Sequence, residues 1–244
     1  MKLLQHGSKI GNATVIVDII GTGNPEIRPQ TKMNPKKVTT HNTGNSGRGA
    51  DAEMHNRYIH NLASYHPKDT SHVSWHLTVD DKFIYQHIPF DEAAYHCGDG
   101  WGVNSGNRTS IGIEICENPE TNTQKAEENA IALTVLLLKE FKLNVNDVHP
   151  HQHWSGKYCP RVILKRDGSF NLYRKRIENV INKKGVAGVS EQKLNADQTK
   201  LLAEAKRLKL TDGKEPFGEV NRLYLFSVIV GLAQQVEELN KKVK

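Results

Sequence analysis

Residues 111–116 read Ile-Gly-Ile-Glu-Ile-Cys, and residues 124–141 read Gln-Lys-Ala-Glu-Glu-Asn-Ala-Ile-Ala-Leu-Thr-Val-Leu-Leu-Leu-Lys-Glu-Phe. The first stretch alternates isoleucines with other residues, the period-two pattern of a strand. The second carries a thick apolar band from Ile131 to Leu138, too long for a strand and suited to a buried helix. Upstream, Lys37-Val-Thr-Thr-His41 reads as extended, and the Gly-rich run 44–49 punctuates it. Residues 50–63 read as a helix, with Met54, Tyr58 and Leu62 at i, i+4 and i+8. Residues 72–79 and 83–88 read as two strands around the turn-like Asp80-Asp81-Lys82, a hairpin. Residues 145–160 read as loop and residues 170–182 as a basic amphipathic helix packed on the sheet. Strands interleaved with helices place residues 1–184 in the α/β class.

Residues 185–194 begin with small, flexible side chains and read as a linker. Beyond it, residues 195–244 read as a small all-α domain of two helices, 195–209 and 219–243, separated by Thr211-Asp212-Gly213 and Pro216. In the second helix Leu225, Ile229, Leu232, Val236, Leu239 and Val243 are spaced 4, 3, 4, 3, 4, which is a heptad seam.

The chain has 244 residues, 37% hydrophobic and 25% charged, enough for a buried core and ordinary for a soluble protein. It contains no apolar run long enough to span a bilayer. Residues 1–20 lack the apolar core and cleavage site of a signal peptide, so synthesis and folding in the cytoplasm are expected. Three cysteines, Cys97, Cys116 and Cys159, are too few and odd in number for a disulfide framework. Residues 1–164 hold 16 Lys+Arg against 17 Asp+Glu, and residues 165–244 hold 17 against 10, so the +6 net charge sits in the C-terminal third. A basic tail suits an anionic polymer such as nucleic acid, a membrane surface or an acidic cell wall. The tail has few aromatic residues for base stacking and no zinc-finger spacing, which argues against nucleic acid.

With twelve histidines in the chain, any single one is weak evidence of function. The segment His149-Pro-His-Gln-His-Trp-Ser-Gly-Lys-Tyr-Cys-Pro160 is different, because it gathers imidazoles, a thiol and an ammonium within twelve residues. Zinc favours nitrogen and thiolate ligands, and a catalytic site uses three of them with one position open. The donor set points to a metal, but composition does not say which histidines bind.

Three motifs carry a family resemblance covering about residues 28–165: Val38-Thr-Thr-His41-Asn-Thr-Gly44, Ser110-Ile-Gly-Ile-Glu114-Ile-Cys116, and His151-Gln-His-Trp-Ser-Gly-Lys157-Tyr-Cys159-Pro160. The chain resembles the type-2 N-acetylmuramoyl-L-alanine amidases, which include phage endolysins, bacterial autolysins and animal peptidoglycan recognition proteins. It is most similar to endolysins of phages that infect Gram-positive relatives of Bacillus. The resemblance implies a mixed central β-sheet flanked by helices and residues 1–184 as a zinc amidase domain. It implies His41, His151 and Cys159 as Zn2+ ligands, Glu114 as base, Lys157 beside the substrate oxyanion, and His96 lining the substrate groove. The implied substrate is the lactyl-amide bond between N-acetylmuramic acid and L-alanine in the peptidoglycan of a Gram-positive wall. The implied setting is host cell lysis, with delivery by a separate membrane-permeabilising protein. Many relatives place a catalytic tyrosine where this chain has Trp75, and an indole does not exchange protons usefully, so the burden falls on Glu114. His149 and His153 are read as loop structure. Two rival readings are a peptidoglycan-binding protein without catalysis, disfavoured by the presence of Cys159, and a nucleic-acid-binding protein.

The heptad stripe generates its own test. A helix over 195–209 is about 22 Å long and one over 219–243 about 37 Å, so the shorter cannot cover the longer. We expect a homodimer through the longer helix, seen by light scattering as a dimer for the full chain and a monomer for a chain ending at Gly185. A monomeric full chain at tens of micromolar would leave intramolecular packing as the explanation.

Overall fold

The structure is a computed structural model and describes residues 1–64, 71–186 and Ala203. Residues 1–186 fall within one compact unit, Met1–Ala187. Its seven strands are β1 (Lys9–Ile10), β2 (Ala13–Val17), β3 (Lys37–Asn42), β4 (Leu77–Val79), β5 (Phe83–Gln86), β6 (Ser110–Ile115) and β7 (Val148–Pro150). Its helices are α1 (Ala52–Ser64), α2 (Gly106–Thr109), α3 (Thr123–Glu140), α4 (Gln152–Ser155), α5 (Arg161–Asp167) and α6 (Asn171–Val186). The strands form one sheet in the order β1-β2-β5-β4-β6-β3-β7. β1 with β2 and β4 with β5 are antiparallel, and the remaining neighbours are parallel, so the sheet is mixed. This is the expected architecture of a mixed sheet flanked by helices.

The pleat divides the work of each central strand between two faces. On β6, Ile111, Ile113 and Ile115 join the main core with Val38 of β3, Leu133 and Leu137 of α3, and Tyr173 and Ile177 of α6. Residues 110, 112 and 114 must then face the other way, as must residues 39 and 41 on β3. Parallel pairing sets Thr39 opposite Gly112 and His41 opposite Glu114. A slip of one residue would send Glu114 into the apolar face, and the isoleucine alternation forbids it.

Several elements depart from the sequence reading. The strand expected over 72–79 is confined to Leu77–Val79. Ahead of it, Ser74 and Tyr95 exchange bonds instead, Ser74 N–H to the Tyr95 carbonyl at 2.9 Å and Tyr95 N–H to Ser74 Oγ at 3.0 Å. The second strand of the hairpin ends at Gln86. Asp80 closes the turn by accepting the N–H groups of Lys82 and Phe83, and its other oxygen accepts Ala52 N–H at the start of α1. Residues 145–160, read as loop, contain a 3-10 turn, β7 and α4. On α1 the buried residues are Ala52, His55, Asn56, Ile59 and Ala63, while Met54 and Tyr58 are exposed. The proposed linker and two-helix C-terminal domain, with its heptad seam, lie outside the described residues apart from the first two positions of the linker and Ala203.

One buried carboxylate joins three helices. Glu127 of α3 is fully buried and accepts from Arg166 of α5 at 2.7 Å and from Arg176 of α6 at 2.5 Å. Only the carboxylate is buried, since the Arg166 and Arg176 side chains stay 45% and 28% exposed, so losing its charge costs less than stranding a buried ion, about 1–2 kcal/mol. Glu127→Gln should therefore lower the stability of this unit by about that amount in urea unfolding. Trp75, Trp101 and Trp154 all lie within the unit and supply the fluorescence signal. A change below about 1 kcal/mol would show that the two arginines find water as good a partner.

Candidate metal centre and active site

His41 is the penultimate residue of β3, and Glu114 sits beside it on β6. The two other donors come from the segment that follows β7. β7 pairs with β3, setting Pro150 opposite Thr40, and His151 N–H then bonds the Thr40 carbonyl at 3.2 Å. This brings His151 Nδ1 to 3.0 Å from His41 Nδ1. Gly156 takes a left-handed turn at φ 77, which ends α4 and returns the chain toward β3. Cys159 Sγ then lies 3.9 Å from the same His41 nitrogen. Glu114 Oε1 is 3.8 Å from it on another side. The donor atoms of His41, His151 and Cys159 therefore lie within 4.8 Å of one another with Glu114 Oε1 beside His41, and the three donor residues are all buried.

Burial sets the protonation of this cluster. It holds His41 well below the ordinary imidazole range, aided by the neighbouring His96 and His151, and holds His151 at about 4. Both rings are neutral at pH 7 and can offer lone pairs. Burial pushes the Cys159 thiol up to about 12 and the Glu114 carboxyl up to about 8, the latter against the pull of Lys157. Glu114 Oε2 is buried without a hydrogen-bond partner. An orphaned oxygen in such a place is costly unless a water or cation occupies the space beside it. Two imidazole nitrogens and one sulfur at these separations suit a tetrahedral ion with bonds of about 2.0–2.3 Å. The residues present therefore fit a divalent metal of borderline softness.

Above this cluster lies a cleft of about 760 Å³. Lys157 lines it with Glu114, and Met54, Tyr58 and Trp75 line the side formed by α1. The apolar stripe of α1 was legible in the sequence, but its Met54 and Tyr58 serve the cleft and not the core. Trp75 stands near the stripe, its ring stacked on Tyr58 at 6.4 Å and its Nε1–H donated to Thr78 Oγ1 at 2.7 Å. Its one polar proton is thus engaged away from the donors. His96 lies on the cleft floor, 3.0 Å from His41 Nε2. His149 and His153, read as loop residues, lie instead on β7 and α4, stack on each other at 4.1 Å and do not line the cleft.

A profile of the family described as N-acetylmuramoyl-L-alanine amidase matches residues 31–162. Two Bacillus subtilis (strain 168) proteins named N-acetylmuramoyl-L-alanine amidase are similar to this chain. CwlH is 47% identical over 157 residues, 64% of this chain and 59% of its own length. XlyA is 47% identical over 156 residues, 64% of this chain and 49% of its own length. The chain thus spans about half to three fifths of these relatives. The solved catalytic domain of XlyA superposes with a TM-score of 0.60 at 44% identity, covering 68% of this chain and 99% of that one. The chain belongs to the N-acetylmuramoyl-L-alanine amidase family. A second solved relative, PlyL, shares the fold at 33% identity and a TM-score of 0.55, over 68% of this chain and 96% of its own.

Metal uptake at this site has a proton signature. A cation among the donors compensates the thiolate and the carboxylate, so both lose the protons that burial had retained. The imidazoles have no proton to lose at their lone pairs. Binding at pH 7 should release between one and two protons, read by calorimetry in buffers of different ionisation enthalpy. Affinity should rise as pH increases toward 8, and pH-independent binding would contradict the assignment.

Proposed function

We propose that the chain is a zinc-dependent N-acetylmuramoyl-L-alanine amidase that cleaves the lactyl-amide bond of Gram-positive peptidoglycan, serving as a phage endolysin. The observation that supports this most directly is the convergence of the buried His41, His151 and Cys159, with the partly buried Glu114 beside them, at an open cleft that Lys157 also lines. His41, His151 and Cys159 would hold the zinc. When bound, zinc lowers the pKa of water toward about 7 and polarises a carbonyl oxygen.

The chain's own residues account for the remaining chemistry. An amide is a weak electrophile and its amine a poor leaving group, so a proton must be removed from water and later delivered to nitrogen. Glu114 is set for both, because its carboxyl is raised by burial toward neutral pH and Oε2 is free to accept. The Lys157 ammonium supplies positive charge where the substrate oxygen becomes negative. Trp75 takes no proton and contributes shape to the α1 side of the cleft. The exposed Met54 and Tyr58 beside it offer an apolar surface for a sugar ring or stem peptide.

The segment 195–244 is proposed to target the wall and to dimerise, with 185–194 as linker and the catalytic part in 1–184. Release through a separate membrane-permeabilising protein completes the endolysin reading. Among the described residues no helix is long and apolar enough to cross a membrane. An autolysin of the same chemistry is the alternative. A non-catalytic peptidoglycan-binding protein is disfavoured by the intact sulfur donor Cys159.

Digestion of purified Gram-positive wall should release free L-alanine amino termini and no new reducing sugar ends, read by mass spectrometry. New reducing ends without new amines would mean a glycosidase and end the proposal. Glu114→Gln should retain zinc and wall binding while losing about 10²-fold or more in turnover. Cys159→Ser should lose both metal and activity. Trp75→Phe should lose far less than Glu114→Gln, and equal losses would return the proton work to position 75.

A further inference from the structure

Two sets of donors share His41. On its Nδ1 side lie His151 and Cys159, and on its Nε2 side lie His96 and Cys97, all buried and close enough to hold an ion. A neutral imidazole carries one proton and offers one lone pair. The set that receives a metal is therefore decided by which nitrogen of His41 bears the proton.

The surrounding atoms assign that proton. His96 Nε2 lies 3.2 Å from the Ser110 carbonyl, which can only accept, so Nε2 carries the hydrogen. The neutral His96 ring then has its lone pair at Nδ1. His41 Nε2, 3.0 Å away, must donate to it, and the lone pair of His41 falls at Nδ1. Cys97 Sγ is also 3.2 Å from His96 Nδ1, the position of a second, weaker donor to the same lone pair. Little freedom exists to rearrange the ring. Its backbone N–H is held by Asn107 Oδ1 at 2.7 Å, and a Cβ at position 112 would come within 2.7 Å of Nδ1, so only glycine fits beside it. A buried histidine at the end of a carbonyl-anchored chain is a tautomer selector.

We propose that His96 is a positioning residue that fixes His41 as its Nε2–H tautomer and so directs the metal to His41, His151 and Cys159 and away from His41, His96 and Cys97. His96 acts through His41 and not by touching substrate. The inference rests on the zinc reading above, and its tests separate the two.

The experiment uses the full chain. Long-range proton–nitrogen correlation spectra of the metal-free protein should show His41 protonated at Nε2 and bare at Nδ1. The opposite tautomer would overturn the inference whatever the protein binds. Zinc affinity is then measured against a chromogenic chelator for the wild type, His96→Phe and His96→Asn. Phenylalanine removes the acceptor, and affinity should fall about 10–100-fold. Asparagine can place Oδ1 near the lost Nδ1 and should restore most of it. Wild-type zinc affinity in a folded His96→Phe, with a raised KM for wall fragments alone, would make His96 a substrate contact and refute the proposal. If His96→Phe does not fold, the tautomer spectrum and the asparagine variant decide. If the wild type binds no zinc, the functional reading fails while the spectrum still judges this one.

Discussion

The site depends on one register. Parallel pairing of β3 with β6 sets His41 opposite Glu114 on the face that the isoleucines do not occupy. The same sheet then adds β7 on the other flank of β3, and the chain leaving β7 delivers His151 and Cys159. Core packing and site assembly are two sides of one pleat. The hydrophobic alternation that stabilises the sheet also determines where the carboxylate points.

Burial is the second constraint, and it acts in opposite directions on different groups. It strips protons from histidines and retains them on Cys159 and Glu114, so the metal-free cluster is close to neutral and tolerates its apolar setting. A metal changes the balance by making the two anions favourable. The fold thus holds donors in a form stable without the ion yet ready to ionise beside it.

Much of this was legible in the sequence because the signals were local. The isoleucine alternation gave β6, the apolar band gave α3, and the crowding of donors in 149–160 marked the metal segment. What was illegible is held by tertiary pairing. β7 is three residues, Val-His-Pro, with no period of its own, and exists because β3 offers it an edge. Ser74 to His76 look β-forming but spend their polar groups on neighbouring loops. The choice of His151 over His149 and His153 followed only from resemblance, since nothing in a run of alternating histidines tells which ring turns inward. The stripe of Met54 and Tyr58 marked the helix, but spacing alone does not tell a core face from a cleft face, and these two side chains line the cleft.

The order of the donors along the chain has a consequence for biosynthesis. His41 and Glu114 lie early, whereas His151 and Cys159 come after β7, and β7 has no partner until β3 is in place. Loop closures of this length are slow relative to local helix formation. A nascent polypeptide is therefore without a complete ligand set until translation has passed Cys159 and that segment has left the ribosome. Products cut short before Cys159 lack the sulfur donor of the proposed zinc site, even where His41, Glu114, His151 and Lys157 are already present.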